Sequence, residues 1–231
     1  MAGQKINKKL FRDRKRTNIL SNLEQQLISY LVPKVPNWIS SDGLTAIGFF
    51  GAVMVLGSFL LAEYIHIKYL LLAVFGFFVQ WYGDSLDGRI AYYRDKSRKW
   101  YGFALDIVMD WVSTVFIGLG YVLYATGDFK YLGFALVALY GWAMIISQLR
   151  YRITDKYTID AGLLGPTEIR VIICIVLVLE VILPGSIDYC VFGICVILFF
   201  INLIDTKKLL DLGDGRDIEE KRERLGRSEN T

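Results

Sequence analysis

The chain has 231 residues, 54% of them hydrophobic and 21% charged, with a formal net charge of +3 and a mean hydropathy of +0.41. Long apolar runs with so few charges exclude an ordinary soluble domain and place the chain among membrane proteins. Cys174, Cys190 and Cys195 all lie in apolar runs and His66 sits in a short connection, so neither a disulfide framework nor a zinc-type Cys/His spacing is present.

Residues 1–17 are basic, with Lys5, Lys8, Lys9, Arg12, Arg14, Lys15 and Arg16 against the single acid Asp13. The first apolar run long enough to matter follows this polar region, the wrong order for a secretory leader, so none is expected. Residues 18–32 carry Leu20, Leu23, Leu27, Tyr30 and Leu31 at near-helical spacing, with Asn18, Asn22, Gln25 and Gln26 between them. Ser21 with Glu24 has capping-box spacing, and Thr17 is an equally good start. Too short to span, the segment fits an amphipathic helix on an anionic cytoplasmic surface; the alternative is a helix packed on the body. Pro33 and Pro36 end it.

Six candidate spans follow, at 42–62, 67–92, 103–126, 130–150, 167–183 and 186–204. Most reach the ~20 residues that cross the hydrocarbon; the fifth is short and joins the sixth through Pro184-Gly185. Continuous rather than alternating apolar runs argue for helices and against a barrel. The expected fold is therefore all-α and integral to the membrane, six transmembrane helices preceded by an amphipathic interfacial helix.

Lys and Arg distribute unevenly between the connections. Arg94, Lys96, Arg98 and Lys99 follow the second span; Arg150, Arg152 and Lys156 follow the fourth. The tail adds Lys207, Lys208, Arg216, Lys221, Arg222, Arg224 and Arg227, whereas the opposite connections hold only His66, Lys68 and Lys130. The positive-inside rule then expects both termini in the cytoplasm. Three regions result: a basic segment at 1–17, a membrane domain at 18–204, and a charged cytoplasmic tail at 205–231, solvated as a helix or disordered. No repeat or nucleic-acid motif is present.

Ionisable groups within apolar spans cost at least ~2.5 kcal/mol each on insertion scales and so mark function. Here they are Asp84-x-x-Asp87-Gly88-x-x-Ala91, ten further residues, then Gly102-x-x-x-Asp106-x-x-x-Asp110. Residues three or four apart share a helix face, so each pair presents two carboxylates to one side. Four carboxylates on two facing helices are an oxygen-ligand set for a hard divalent cation such as Mg²⁺. By the charge bias they sit toward the cytoplasm. Gly88, Ala91 and Gly102 continue the same faces; small side chains there either admit a flat ligand or simply permit tight helix packing. Cations between the stripes suit a phosphate. Metal and cations together suit transfer from a diphosphate, with one carboxylate as general base on an incoming hydroxyl.

The stretch resembles the signature of the CDP-alcohol phosphotransferase family, integral membrane enzymes of phospholipid synthesis. That signature reads Asp-x-x-Asp-Gly-x-x-Ala-Arg, a short spacer, then Gly-x-x-x-Asp-x-x-x-Asp. Every position matches except the arginine, which is Tyr92 here. The resemblance implies that Asp84, Asp87 and Asp106 bind Mg²⁺ or Mn²⁺ holding the donor's pyrophosphate. It implies that Asp110 contacts the metal and deprotonates the acceptor alcohol, that Gly88, Ala91 and Gly102 line the cytidine nucleotide pocket, and that the protein is a homodimer. With Tyr92 uncharged, Arg94 is the expected substitute for the donor contact, since Arg89 should face away from the Asp84 stripe.

Two shorter stretches bear on the subfamily. Ser41-Asp42-Gly43-Leu44-Thr45 resembles the family's Pro-Asn-x-Leu-Thr, although Asp42 is equally a helix N-cap. Gly165-Pro166-Thr167-Glu168 is similar to a stretch of choline and ethanolamine phosphotransferases, or is an ordinary helix start. The Asp-His-Gly of that branch is absent, because Ile107 and Val108 follow Asp106. Arg150, Arg152 and Arg170 either bind a phosphorylated acceptor, as in the family's inositol-phosphate branch, or are positive-inside residues. Glu180 shares no spacing with the aspartates, which leaves pairing across helices.

The expected reaction is phosphatidyl transfer from CDP-diacylglycerol to a soluble polyol or amino alcohol, with release of CMP. The alternative is a CDP-choline or CDP-ethanolamine donor with diacylglycerol or another lipid alcohol. Rivals from other classes are a cation transporter, whose acids would sit nearer mid-membrane on broken or repeated helices, and a non-catalytic family member.

Overall fold

The computed structural model describes residues 20–154 and 165–228; the basic segment 1–17 lies outside the described residues. These contain α1 (Ser21–Leu31), α2 (Ser41–Tyr64), α3 (Leu70–Tyr93), α4 (Lys99–Tyr124), α5 (Lys130–Thr154), α6 (Pro166–Ile182) and α7 (Ser186–Ser228). Short 3₁₀ turns lie at Val32–Lys34, Ile67–Tyr69 and Gly127–Phe129, and no strand occurs among the described residues. Five helices, all but α1 and α6, are long and apolar enough to cross a membrane. The 17 residues of α6 extend about 26 Å, just under the ~30 Å hydrocarbon core. The chain is an all-α integral membrane protein, with α6 as the short fifth of the six segments expected.

The tightest contact is between α2 and α3, and glycine makes it possible. A Cβ on Gly51 would stand 2.5 Å from the Gln80 nitrogen and 2.6 Å from the Gly76 oxygen, and one on Gly83 would overlap the Gly48 nitrogen and the Leu44 oxygen. Between apolar helices in lipid, close approach of backbones takes the place of a hydrophobic drive. Elsewhere Val55, Phe59, Leu70, Phe77, Tyr121 and Leu177 form the central core, and Ile28, Val32, Leu44, Leu86 and Ile90 a second cluster at the end where α3 finishes.

That second cluster docks α1 on the bundle. Ile28 and Val32 are buried while Leu23, Leu27 and Tyr30 remain exposed, so one face packs on the body and another apolar face is open. Ser21 is the first helical residue rather than the cap. The capping position falls on Leu20, whose N–H donates to Glu168 Oε1 at 2.8 Å.

At the opposite end, buried Glu180 gathers the α6–α7 turn. Its carboxylate accepts from Tyr124 Oη at 2.7 Å, Gly185 N at 2.9 Å, Ser186 Oγ at 3.2 Å and Ile187 N at 2.8 Å. Gly185 has φ +91°, a left-handed conformation that costs glycine little. Glu180 thus satisfies N–H groups at the start of α7, which helical geometry leaves without internal partners.

Residues 205–228 of the charged tail continue α7, whose 43 residues extend about 64 Å. Asp205 pairs with Arg150 at 3.7 Å. Arg216 Nη1 donates to Arg152 O at 3.1 Å and to Ile153 O, carbonyls of the last turn of α5.

Candidate active site

The last turns of α3 and the first turns of α4 face one another across the connection 94–98. Asp84, Asp87, Asp106 and Asp110 all line a single cavity of about 1230 Å³ there, together with Gly88, Ala91, Gly102 and Arg94. At Gly88 and Gly102 an added Cβ would meet nothing within 4 Å. They border open space, unlike the packing glycines of the α2–α3 crossing.

Each carboxylate sits in a different environment. Asp87 Oδ2 accepts from Thr45 Oγ1 at 2.6 Å and its Oδ1 accepts from the Gly88 N–H. Ser41 Oγ donates to the Asp87 carbonyl at 2.9 Å, so the first turn of α2 grips α3 at this residue. Asp84 Oδ2 accepts from Arg170 Nη2 at 2.6 Å, and the same nitrogen lies 4.0 Å from Asp110 Oδ1. Arg170 comes from α6 and is largely buried, with 14% of its side chain exposed. A guanidinium against two of four carboxylates offsets only part of their charge.

The donor set is all oxygen, which fits a hard divalent cation, and the Arg170 guanidinium marks the cluster as a place that takes positive charge. As the side chains stand, no group of three or more acidic, imidazole or thiol side chains among the described residues converges at ligand distance.

Several sequence expectations take a different form. Arg94 lines the cavity, but its guanidinium donates to Ile39 O at 2.5 Å, Val35 O at 3.0 Å and Pro36 O at 3.0 Å. It clamps the connector between α1 and α2. Arg89 is buried and also lines the cavity, which extends around α3 as far as Glu24 on α1. Asp42 is not the N-cap of α2. That position belongs to Ser40, whose hydroxyl accepts from Gly43 N at 3.0 Å, while Asp42 pairs with Arg98.

Of the three arginines considered for an acceptor phosphate, Arg170 lines the cavity and Arg150 and Arg152 do not. Glu168 behaves as a helix start: Oε2 accepts from Gly165 N at 3.0 Å while Oε1 latches α1. Sequence reasoning missed Thr45 and Arg170 as partners of the aspartates. The only signal for Thr45 was its place in the Leu44-Thr45 stretch, and for Arg170 its position just after Pro166.

A helical membrane bundle with four aspartates from two successive helices lining a polar cavity at one end defines a class of polytopic membrane protein with an acidic site. A family model described as CDP-alcohol phosphatidyltransferase matches residues 35–204. The chain belongs to the CDP-alcohol phosphatidyltransferase family, and hence among transferases that act on CDP-linked alcohols. No curated protein matches it.

Proposed function

We propose that this chain transfers the phosphatidyl group of CDP-diacylglycerol to the hydroxyl of a soluble polyol or amino alcohol, releasing CMP. The observation that carries this reading is the gathering of all four signature aspartates around one cavity, with open space beside Gly88 and Gly102 where a nucleotide can lie against the backbone.

Asp84, Asp87, Asp106 and Asp110 would hold the divalent cation, Mg²⁺ or Mn²⁺. When bound, that cation supplies charge neutralisation for the donor's diphosphate and its leaving oxygen. Thr45 orients the Asp87 carboxylate by its hydrogen bond, as outer partners do for metal-ligating groups. Asp110 takes the proton of the acceptor hydroxyl. The acceptor oxygen bonds to the phosphatidyl phosphorus as the bond from that phosphorus to the CMP phosphate oxygen breaks, and CMP leaves with the electron pair.

The site end of the bundle carries Arg94, Lys96, Arg98, Lys99, Arg150 and Arg152. By the positive-inside rule it faces the cytoplasm, where CDP-linked donors and soluble alcohols meet, and both termini lie on that side. The exposed Leu23, Leu27 and Tyr30 of α1 then rest in the lipid interface.

The test is CMP release by purified protein in lipid micelles with Mg²⁺ or Mn²⁺, beside an Asp110→Asn control. CDP-diacylglycerol is offered with a pool of alcohols; CDP-choline and CDP-ethanolamine with diacylglycerol form the second arm. Release from CDP-diacylglycerol that vanishes in the control supports the reading. Release only in the second arm transfers it to the amino-alcohol branch. Absence of release and of metal-dependent CDP binding would point to a transporter instead.

A further inference from the structure

Arg170 reaches the aspartate cluster from a third helix, α6, and its guanidinium lies between an aspartate of α3 and one of α4. Its Nη2 is 2.6 Å from Asp84 Oδ2 and 4.0 Å from Asp110 Oδ1. The pairing rests on one nitrogen, not on the two-pronged fork that makes arginine–carboxylate pairs hard to break. Asp84 is turned to the guanidinium, and no three acidic side chains among the described residues converge. The same carboxylates cannot gather on a divalent cation while a fixed guanidinium occupies the gap between them, since two positive groups at that separation repel.

We propose that Arg170 is an exchangeable counter-ion of the cluster: it competes with the divalent cation for Asp84, and on displacement its guanidinium turns to the donor's diphosphate. This rests on the metal and donor assignments made above. The displaced guanidinium stays within the cavity that Arg170 already lines. It supplies there the phosphate-directed cation that Tyr92 does not.

The exchange has an unusual signature, because removing Arg170 moves two affinities in opposite directions. Mn²⁺ alone is titrated into the purified full chain, followed by electron paramagnetic resonance, for wild type and Arg170→Gln. CDP is then titrated at saturating Mn²⁺. Arg170→Gln is expected to bind Mn²⁺ roughly tenfold more tightly and CDP roughly tenfold more weakly, the size of a typical coupling between sites. A structural role would weaken both or leave both unchanged, and either result overturns the exchange. If Arg170→Gln does not accumulate as folded protein, Arg170→Lys carries the same comparison. Its shorter hydrogen-bonding reach gives the same two signs, and wild-type affinities for both ligands would overturn the proposal. Failure of wild type itself to bind Mn²⁺ removes the metal assignment first, and the exchange with it.

Discussion

Thr45 on α2 donates its hydroxyl to Asp87 Oδ2 on α3 at 2.6 Å, joining the two helices at the second aspartate of the signature. Thr45→Val keeps the shape and removes the donor. The expected result is a 10- to 100-fold fall in CMP release, the usual cost of losing an outer partner of a metal-binding group. Thr45→Ser should retain most activity. An equal loss in both variants would mean that the methyl packing matters and the hydrogen bond does not.

The glycines divide into two sets that mutation can tell apart. Gly83→Ala forces a Cβ into the backbone of α2. It should cost about 1–3 kcal/mol or more, read as a lower Tm in detergent. Gly88→Ala and Gly102→Ala add a methyl to open space, so they should fold normally while losing CDP affinity. A lowered Tm without an affinity change at Gly88 would remove it from the nucleotide pocket.

Arg94→Ala releases three connector carbonyls at once. Hydrogen bonds from a charged donor contribute about 1.5–3 kcal/mol, and a fall in Tm with only a modest rise in donor KM is expected. Thermal unfolding and donor kinetics on the same preparation check this. A large rise in KM at unchanged Tm would instead mark the direct donor contact read from the sequence.

Glu180→Ala strips the acceptor from Tyr124, Gly185 and Ile187 together. A loss of roughly 2–4 kcal/mol is expected from the orphaned groups, with CMP release per folded molecule unchanged because the site lies at the other end of the bundle. Activity normalised to folded protein, beside Tm, provides the check.

What could be read in advance was whatever repeats locally along the chain. The apolar runs announced the helices, and the three- and four-residue spacings of Asp84, Asp87, Asp106 and Asp110 put each pair on one face before any fold was known. The partners of those aspartates were not legible, because Thr45 and Arg170 lie 42 and 86 residues from the groups they meet. Charge alone also gave no sign of the carbonyl partners of Arg94: the connection after α3 is rich in cations, and nothing in its pattern shows that this one turns back to Val35, Pro36 and Ile39. Glu180 was opaque for a related reason. Three of its four donors belong to a turn that exists only once α6 and α7 are paired.

Because α7 runs unbroken from Ser186 to Ser228, no hinge insulates its outer arm from its membrane-embedded part. Bilayer thickness acts on the tilt of a spanning helix, and a stiff rod carries that tilt outward with leverage. Arg216 ties the rod to the last turn of α5, so a change in tilt is passed to that helix end as well as to the residues beyond it.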